Sequence, residues 1–244
     1  MNNYKFTVQY DGTRYSGWQR QGNTSSTIQF KLERAISRLL GEEIEVAGSG
    51  RTDAGVHALG QVANFRTEKI LDTADILLKL NSALPEDIVV LNLTLASPRF
   101  HARLSAKEKT YRYTIHNSAV SDVFRRKFEY QLPESLDLEA MEKAVGYLIG
   151  THDFRGFSTG HTKKSTVRHI RCIDISREGD KVFLTFTGNG FLYNMVRILT
   201  GTLIEVGRGE RTPKSVQEVL ETNDRTKAGF TAPAQGLCLM EVKY

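Results

Sequence analysis

Residues 48–58 bring a carboxylate, a guanidinium and an imidazole together in one short stretch: Asp53, Arg51 and His57. Three glycines in the same stretch predict a backbone that adopts positive φ or passes close to a bulky group. Strands predicted over residues 43–47 and 61–65 flank it, and loops held by strands often carry catalytic groups. A structural turn in which Asp53 binds backbone amides fits the stretch equally well.

Two familiar chemistries do not fit this loop. A dinucleotide fingerprint needs its third glycine where Asp53 stands and a helix after it, and no phosphate-binding G-x-x-x-x-G-K-[ST] segment occurs anywhere. A metal site at Asp53 and His57 needs further ligands, but the other histidines are scattered without ligand spacing. We therefore expect no metal. A single carboxylate remains, which acts as nucleophile or base when a cation keeps it ionised.

Arg197 is one candidate for that cation. A helix predicted from about Gly190 buries one apolar stripe, formed by Phe191, Met195, Ile198, Leu199, Thr202 and Val206. Arg197 falls opposite the stripe, on the face that carries Tyr193 and Thr200. Taken alone, this position fits a solvent-exposed arginine better than a catalytic one.

The composition is that of a globular protein with one large or two modest domains. The chain has 244 residues, of which 40% are hydrophobic and 25% charged. No apolar run is long enough to span a membrane, and the first residues do not resemble a secretory signal. Cys172 and Cys238 are too few for a disulfide scaffold. We expect a cytoplasmic protein without a membrane segment.

Basic residues are unevenly distributed, although the net charge is only +5. They form three clusters: Arg99, Arg103, Lys107, Lys109 and Arg112; then Arg125, Arg126 and Lys127; then Lys163, Lys164, Arg168 and Arg171. Aromatic residues lie among them: Phe100, Tyr111, Tyr113, Phe124 and Phe128. Any one cluster fits a solvated basic face, but together they favour a nucleic-acid partner.

Hydrophobic patterning predicts the same order of elements in both halves of the chain. In the first half, a helix opens at Ser26, where Gln29 completes a capping box, and closes at Gly41. Its predicted stripe is Ile28, Leu32, Ala35, Ile36 and Leu39. A second helix is predicted over residues 73–83, with outer strands over residues 4–10 and 88–95. The order is therefore β-α-β-β-α-β.

The second half has a similar pattern. A helix capped by Asp137 runs to Gly150, the helix from Gly190 follows two strands, and a short helix follows Pro213. Strands are predicted over residues 109–116, 167–176, 181–187 and 237–243. The order in each half is that of a ferredoxin-like unit. The sequence thus predicts an α+β protein with two ferredoxin-like subdomains, residues 1–103 and 104–244, and a basic cleft between them.

The segment Gly50-Arg51-Thr52-Asp53-Ala54-Gly55-Val56-His57-Ala58 resembles the catalytic loop of the TruA family of tRNA pseudouridine synthases. Further segments resemble other blocks of that family in the same order: residues 10–12, 17–21, 81–88, 100–103, 109–113, 150–154 and 190–197. Residues 158–166 look individual to this chain. The resemblance implies a pseudouridine synthase fold and enzymes that act without cofactors, as homodimers in which one tRNA contacts both subunits.

The resemblance also implies roles for four residues. Asp53 is the catalytic aspartate that opens the rearrangement, and Arg197 pairs with it and keeps it ionised. Tyr111 stacks on the flipped uracil and is a candidate for assisting proton removal at C5. Arg51 takes part in extruding the target nucleotide and fills the space it leaves. The implied targets are uridines 38, 39 and 40 of the tRNA anticodon arm.

Two other functions are alternatives to pseudouridine formation. A non-catalytic protein that binds structured RNA on the same fold does not need Asp53, Tyr111 and Arg197 together. A metal-dependent nuclease needs a cluster of carboxylates, which the sequence does not show. Pseudouridine formation exchanges an N1–C1′ bond for a C5–C1′ bond without redox change, so it agrees with the missing cofactor motifs. Attack at C1′, attack at C6 and removal of the 2′-proton all stay open for Asp53.

Overall fold

The computed structural model describes residues 1–160 and 164–244. It is a mixed α+β protein that divides into two compact units. The first unit contains Met1–Lys107 together with Leu239–Tyr244, and the second contains Glu108–Cys238. In the described part of the chain, no helix is long and apolar enough to cross a membrane.

The first unit contains four strands and two helices from the N-terminal part of the chain. They are β1 (Asn2–Tyr10), α1 (Ile28–Leu40), β2 (Val46–Gly48), β3 (His57–Thr67), α2 (Thr73–Ala83) and β4 (Ile88–Ala96). All strand pairs are antiparallel, in the order β4-β1-β3-β2. Alternate residues of β1 point inward and are buried: Tyr4, Phe6, Val8 and Tyr10. The core of this unit lies on that face, where the rings of Tyr4 and Phe6 contact Phe65.

The predicted start of α1 is wrong by one residue. Thr27, not Ser26, is the N-cap, because its hydroxyl accepts a hydrogen bond from the Phe30 amide at 3.4 Å. Gln29 does not complete a capping box, since its side chain bonds to Gln19, to the Val46 carbonyl and to Glu33 one turn further along the helix. The helix ends as predicted at Gly41, which adopts a left-handed conformation with φ of 66°. In the stripe, Leu40 is buried in place of the predicted Leu39.

The described residues of the second unit form five further strands and three helices. They are β5 (Glu108–His116), β6 (Tyr130–Gln131), α3 (Leu138–Val145), β7 (Gly150–Asp153), β8 (Val167–Glu178), β9 (Lys181–Gly188), α4 (Met195–Gly207) and α5 (Ser215–Thr222). The strands β5-β9-β8-β7 are neighbours in that order, and the short β6 runs parallel to β5. The last strand, β10 (Leu237–Lys243), has the predicted bounds, and its residues from Leu239 onward join the first unit beside β3.

Two details of the second unit differ from the sequence expectations. Asp137 caps α3 as predicted, accepting the Ala140 amide at 3.0 Å, but the helix ends at Val145 rather than at Gly150. Residues from Gly150 form β7, which the sequence analysis did not predict. A four-residue strand is too short for a clear alternation of polar and apolar side chains.

Helix α4 also differs from its prediction. It begins at Met195 rather than near Gly190, because Asn194 in front of it has a left-handed backbone with φ of 59°. It is buried on nearly all sides instead of one, and Thr200 is fully buried with its hydroxyl donating to the Val196 carbonyl. A Cβ on Gly201 would lie 1.9 Å from the Phe230 carbonyl oxygen. The segment around Phe230 therefore covers the face of α4 that was predicted from the sequence to be exposed to solvent.

Candidate active site

Asp53 lies in the loop between β2 and β3, and side chains of β3 hold the first part of that loop. The Ser49 amide donates to the Val62 carbonyl at 2.8 Å, and the Ser49 hydroxyl donates to Gln61 Oε1 at 2.6 Å. The Gln61 side chain then donates from Nε2 to the Gly50 carbonyl at 3.0 Å. Because Ser49 and Gln61 are fully buried, these bonds fix where the loop leaves the sheet.

The residue before Asp53 is held by the segment that follows β1. The Thr52 carbonyl accepts the Trp18 amide at 3.0 Å, and the Thr52 hydroxyl lies 2.8 Å from the Tyr10 hydroxyl. Gly17 makes this approach possible, because its φ is 91° and a Cβ there would lie 2.7 Å from the Thr52 carbonyl oxygen. The main chain that enters Asp53 is therefore anchored from outside the loop.

The residues after Asp53 are held in the same way. The Val56 amide donates to the Asp53 carbonyl at 3.1 Å, which closes a tight turn. His57 Nδ1 accepts the Gly12 amide at 3.0 Å and lies 3.3 Å from Asp11 Oδ1. A Cβ on Gly12 would lie 2.0 Å from the Val56 carbonyl oxygen. His57, only 5% exposed, thus braces the loop.

Glycine is required in this loop for two different reasons. Gly55 has a φ of 78°, which confirms the prediction of a left-handed backbone. Gly48 lies against a bulky group, as the second part of that prediction stated, since a Cβ there would lie 2.5 Å from the indole ring of Trp18. Trp18 is only 2% exposed, so the space beside Gly48 is filled by the protein itself.

The two candidate residues of this loop differ in exposure. Asp53 is half-buried, whereas Arg51 is exposed and donates from Nε to Gln19 Oε1 at 3.0 Å. Such a loop presents a carboxylate on a backbone that has little freedom to move. Pre-ordering of this kind is what a nucleophile or base needs, because catalysis depends on the placement of the reacting atoms.

Tyr111 lies in β5 of the second unit and is only 7% exposed. Its main chain pairs with Phe186 of β9. Its ring meets the ring of Phe191 edge to face, with centroids 5.4 Å apart and planes at 87°. Phe191 was predicted to belong to the apolar stripe of α4. In the structure it precedes that helix, and its ring orients the ring of Tyr111.

Arg197 lies in the first turn of α4, and the expectation of a solvent-exposed side chain is wrong. Its Nε donates to the Ala232 carbonyl at 2.7 Å, and a terminal nitrogen donates to Asn194 Oδ1 at 3.0 Å. Its own carbonyl accepts the Ala232 amide at 3.1 Å. These bonds fix the direction of the half-buried guanidinium. Ala232 can accept from it because the neighbouring Phe230 packs closely against Gly201 of α4.

The four candidates are thus divided between the two units. Arg51 and Asp53 share the loop of the first unit, and Tyr111 and Arg197 belong to the second. Gln19, Trp18 and Asn194 also contact this loop or these side chains, although no role was predicted for them from the sequence. All three lie in segments that resemble the family, and this resemblance was the signal in the sequence that could have identified them. Among the described residues, no three His, Cys, Asp or Glu side chains are grouped as a metal site.

The basic clusters are only partly available for a polyanion. Arg171 is paired with Glu108 at 2.6 Å, and Arg125 lies within 3.6 Å of Asp122 and Glu129. Among the aromatic residues, Phe124 is 91% exposed. Tyr113, in contrast, is fully buried and donates its hydroxyl to the Pro233 carbonyl; burial raises the pKa of its phenol. Tyr113 is therefore a core residue. Lys163 of the third cluster and the neighbouring His161 lie outside the described residues.

Comparison with known proteins identifies the family of this chain. The family model described as tRNA pseudouridine synthase matches residues 7–105 and 144–244. A protein of Bacillus sp. strain KSM-64, named tRNA pseudouridine synthase A, is 47% identical over the full length of both chains. One from Clostridium perfringens, named tRNA pseudouridine synthase A 2, is 45% identical, also over both full lengths.

A solved structure, the Crystal Structure of a Cbf5-Nop10-Gar1 Complex, aligns with 97% of this chain and 49% of its own. Its identity is 13% and its TM-score 0.36, a score at which a shared fold is not established. The match to the family model and the full-length relatives are enough to assign the family. The chain belongs to the TruA family of tRNA pseudouridine synthases.

Proposed function

We propose that this protein is an isomerase that converts uridine to pseudouridine at positions 38, 39 and 40 of the tRNA anticodon arm. The observation that carries the proposal is the Asp53 loop, in which contacts to Thr52, Val56 and His57 order the backbone on both sides of one carboxylate. Full-length relatives named tRNA pseudouridine synthase A support the reaction and the substrate class.

Asp53 is the catalytic carboxylate in this proposal. The N1–C1′ bond breaks, a C5–C1′ bond forms, the C5 proton leaves and N1 gains a proton, so the atoms and charges balance without a redox partner. Asp53 either attacks C1′, attacks C6 or removes the 2′-proton. Each of these roles requires the carboxylate to sit at a fixed place beside the nucleoside.

The target uridine is flipped out of its stack before the reaction. Unstacking costs a few kcal/mol, and an aromatic side chain that stacks on the base offsets part of that cost. Tyr111 takes this role, since Phe191 fixes the direction of its ring. Arg51, exposed on the loop of Asp53, fills the space that the nucleotide leaves. Arg197 supplies the positive charge that keeps the catalytic aspartate ionised, a role that the family resemblance implies for it.

The strand order β4-β1-β3-β2 with two helices supports a ferredoxin-like first subdomain. We propose subdomains at residues 1–103 and 104–244, a homodimer and a cytoplasmic location. The dimer rests on the family resemblance alone, and light scattering after size-exclusion chromatography measures it.

Purified protein is expected to form pseudouridine in tRNA transcripts only at positions 38, 39 and 40. The measurement is pseudouridine mapping in matched transcripts in which each of these uridines is changed to cytidine in turn. Loss of modification at the changed position alone supports the assignment, and modification elsewhere in the tRNA contradicts it. Binding of tRNA without any pseudouridine would favour the rival function, a non-catalytic RNA-binding protein.

Two substitutions at Tyr111 separate stacking from proton transfer. Tyr111→Ala removes both the ring and its hydroxyl. Loss of the base–aromatic stack alone is expected to lower kcat/KM by about tenfold to a hundredfold, and any loss measured for Tyr111→Phe multiplies that effect. Tyr111→Phe keeps the stack and is expected to lower kcat by about a hundredfold or more if the hydroxyl assists removal of the C5 proton. Rates of tritium release from C5-labelled tRNA measure both effects.

The control for these variants is Tyr147→Phe, at a more exposed tyrosine of the same unit. Because Tyr111 is nearly buried, thermal unfolding is recorded for each variant. An unchanged kcat in Tyr111→Phe would remove the hydroxyl from the mechanism. An unchanged kcat/KM in a folded Tyr111→Ala protein would remove the stacking role as well.

A further inference from the structure

A chain of side-chain hydrogen bonds leads from Arg51 into the buried side of α1. Arg51 Nε donates to Gln19 Oε1 at 3.0 Å, and Gln19 Nε2 donates to Gln29 Oε1 at 2.6 Å. Gln29 Nε2 then donates to Glu33 Oε1 at 3.0 Å. Glu33 is only 5% exposed, so the chain joins an exposed guanidinium to a buried carboxylate.

The two ends of the chain determine its direction. A guanidinium only donates hydrogen bonds and a carboxylate only accepts them, so each amide between them has one orientation that satisfies both neighbours. Gln29 is held further by the Arg20 amide, which donates to its Oε1 at 2.8 Å, and by the Val46 carbonyl, which accepts from its Nε2 at 2.9 Å. Neither glutamine has an alternative orientation that keeps these bonds.

The buried end of the chain is itself anchored. Glu33 Oε1 accepts the Val46 amide at 3.2 Å, and Glu33 Oε2 pairs with the Arg20 guanidinium at 3.2 Å. The carboxylate therefore connects α1 to β2, the strand that leads into the Asp53 loop. This also explains why Gln29 does not cap α1, since its side chain is used for the network.

We propose that Gln19 and Gln29 are positioning residues that hold the Arg51 guanidinium in place for displacement of the target nucleotide. The inference rests on the proposed role of Arg51. A long arginine side chain loses rotamer freedom when it becomes ordered. The network orders it before RNA binds, at a point on the chain two residues from Asp53. A simpler possibility is that the network only stabilises the contact between α1 and β2.

The experiment compares Gln19→Ala, Arg51→Ala and the double variant in steady-state assays on tRNA. Gln19→Ala is expected to lower kcat by about tenfold, the lower end for a lost hydrogen bond to a charged group, with KM nearly unchanged. In the Arg51→Ala background it is expected to have no further effect, because the group that it positions is already absent. Fluorescence of 2-aminopurine beside the target uridine is expected to rise less in both single variants, because fewer nucleotides are flipped.

The matched control is Gln217→Ala on α5. Gln217 donates to Glu221 at 2.8 Å with the same spacing along a helix as the Gln29–Glu33 pair, but at an exposed site of the other unit. It is expected to change neither kcat nor the fluorescence. Gln29→Ala tests the next link and is expected to act in the same direction as Gln19→Ala.

Three results would overturn the inference, and they have different meanings. Unchanged kcat in Gln19→Ala, with Arg51→Ala impaired, would show that Arg51 acts without the network. Multiplying losses in the double variant, together with a lower unfolding temperature, would show a purely structural role. Full activity of Arg51→Ala would overturn the proposed function of Arg51 itself.

Discussion

Replacement of Asp53 by asparagine is expected to abolish tritium release from C5-labelled uridine in tRNA, with a loss of at least about a thousandfold. Asparagine has nearly the same shape but neither the charge nor the nucleophilicity of the carboxylate. The loop is expected to keep its conformation, because hydrogen bonds of Thr52, His57 and the main chain hold it on both sides of Asp53. Binding of tRNA should therefore persist.

The control for this variant is Asp75→Asn, at an exposed carboxylate on α2 that pairs with Lys79. Both proteins are compared by tritium release, by tRNA binding in a filter or gel-shift assay, and by thermal unfolding. A folded Asp53→Asn protein that keeps more than about a tenth of the parental rate contradicts a catalytic role for the carboxylate, since loss of an essential nucleophile costs far more. Loss of tRNA binding as well would indicate that Asp53 serves mainly in recognition.

Replacement of Gly201 by alanine is expected to destabilise the protein by about 3 kcal/mol, the upper part of the usual range for overpacking. The added methyl group would lie 1.9 Å from the Phe230 carbonyl oxygen, so the backbone of one segment must move. Alanine favours a helix over glycine by about 1 kcal/mol, which works in the opposite direction. The movement would also disturb Ala232, whose carbonyl holds Arg197.

The effect is measured by thermal unfolding, where about 3 kcal/mol corresponds to a decrease in Tm of about 6–12 °C for a protein of this size. Gly22→Ala is the control, because nothing lies within 4 Å of a Cβ at that position and its φ is not positive. Its Tm should stay within about 2 °C of the parent, because most surface substitutions change stability by less than about 0.5 kcal/mol. An unchanged or higher Tm in Gly201→Ala would show that the chain near Phe230 moves away easily.

Elements with strong local signals were predicted closely. The bounds of α2 are those predicted, since Asp72 accepts the Ala74 and Asp75 amides at its start. Gly41 ends α1 and Asp137 begins α3, as their cap chemistry indicates. The N-cap of α1 was misplaced, because Gln29 binds partners brought to it by the tertiary fold. A capping pattern in the sequence cannot show such competition.

Helix α4 shows the same limit for burial. Its sequence indicates one apolar stripe, but the structure buries Thr200, Gly201 and Leu203 as well. The cause is close packing between glycines and main chain: Gly201 lies against Phe230, and Gly229 lies against Thr202. Periodicity describes the polarity of one helix and contains no information about how closely another segment approaches it.

Local sequence patterns were enough to identify the family, the loop around Asp53 and the side chains in that loop that are able to do chemistry. How these residues are held depends on the tertiary fold. Tyr10, Gly12 and Gly17 reach the loop because β1 pairs with β3 and the chain after β1 turns back onto it. Ala232 and Asn194 decide the direction of Arg197, and Gln19 that of Arg51. Hydrogen bonds require placement within a few tenths of an ångström, which depends on the packing of distant segments and not on local pattern.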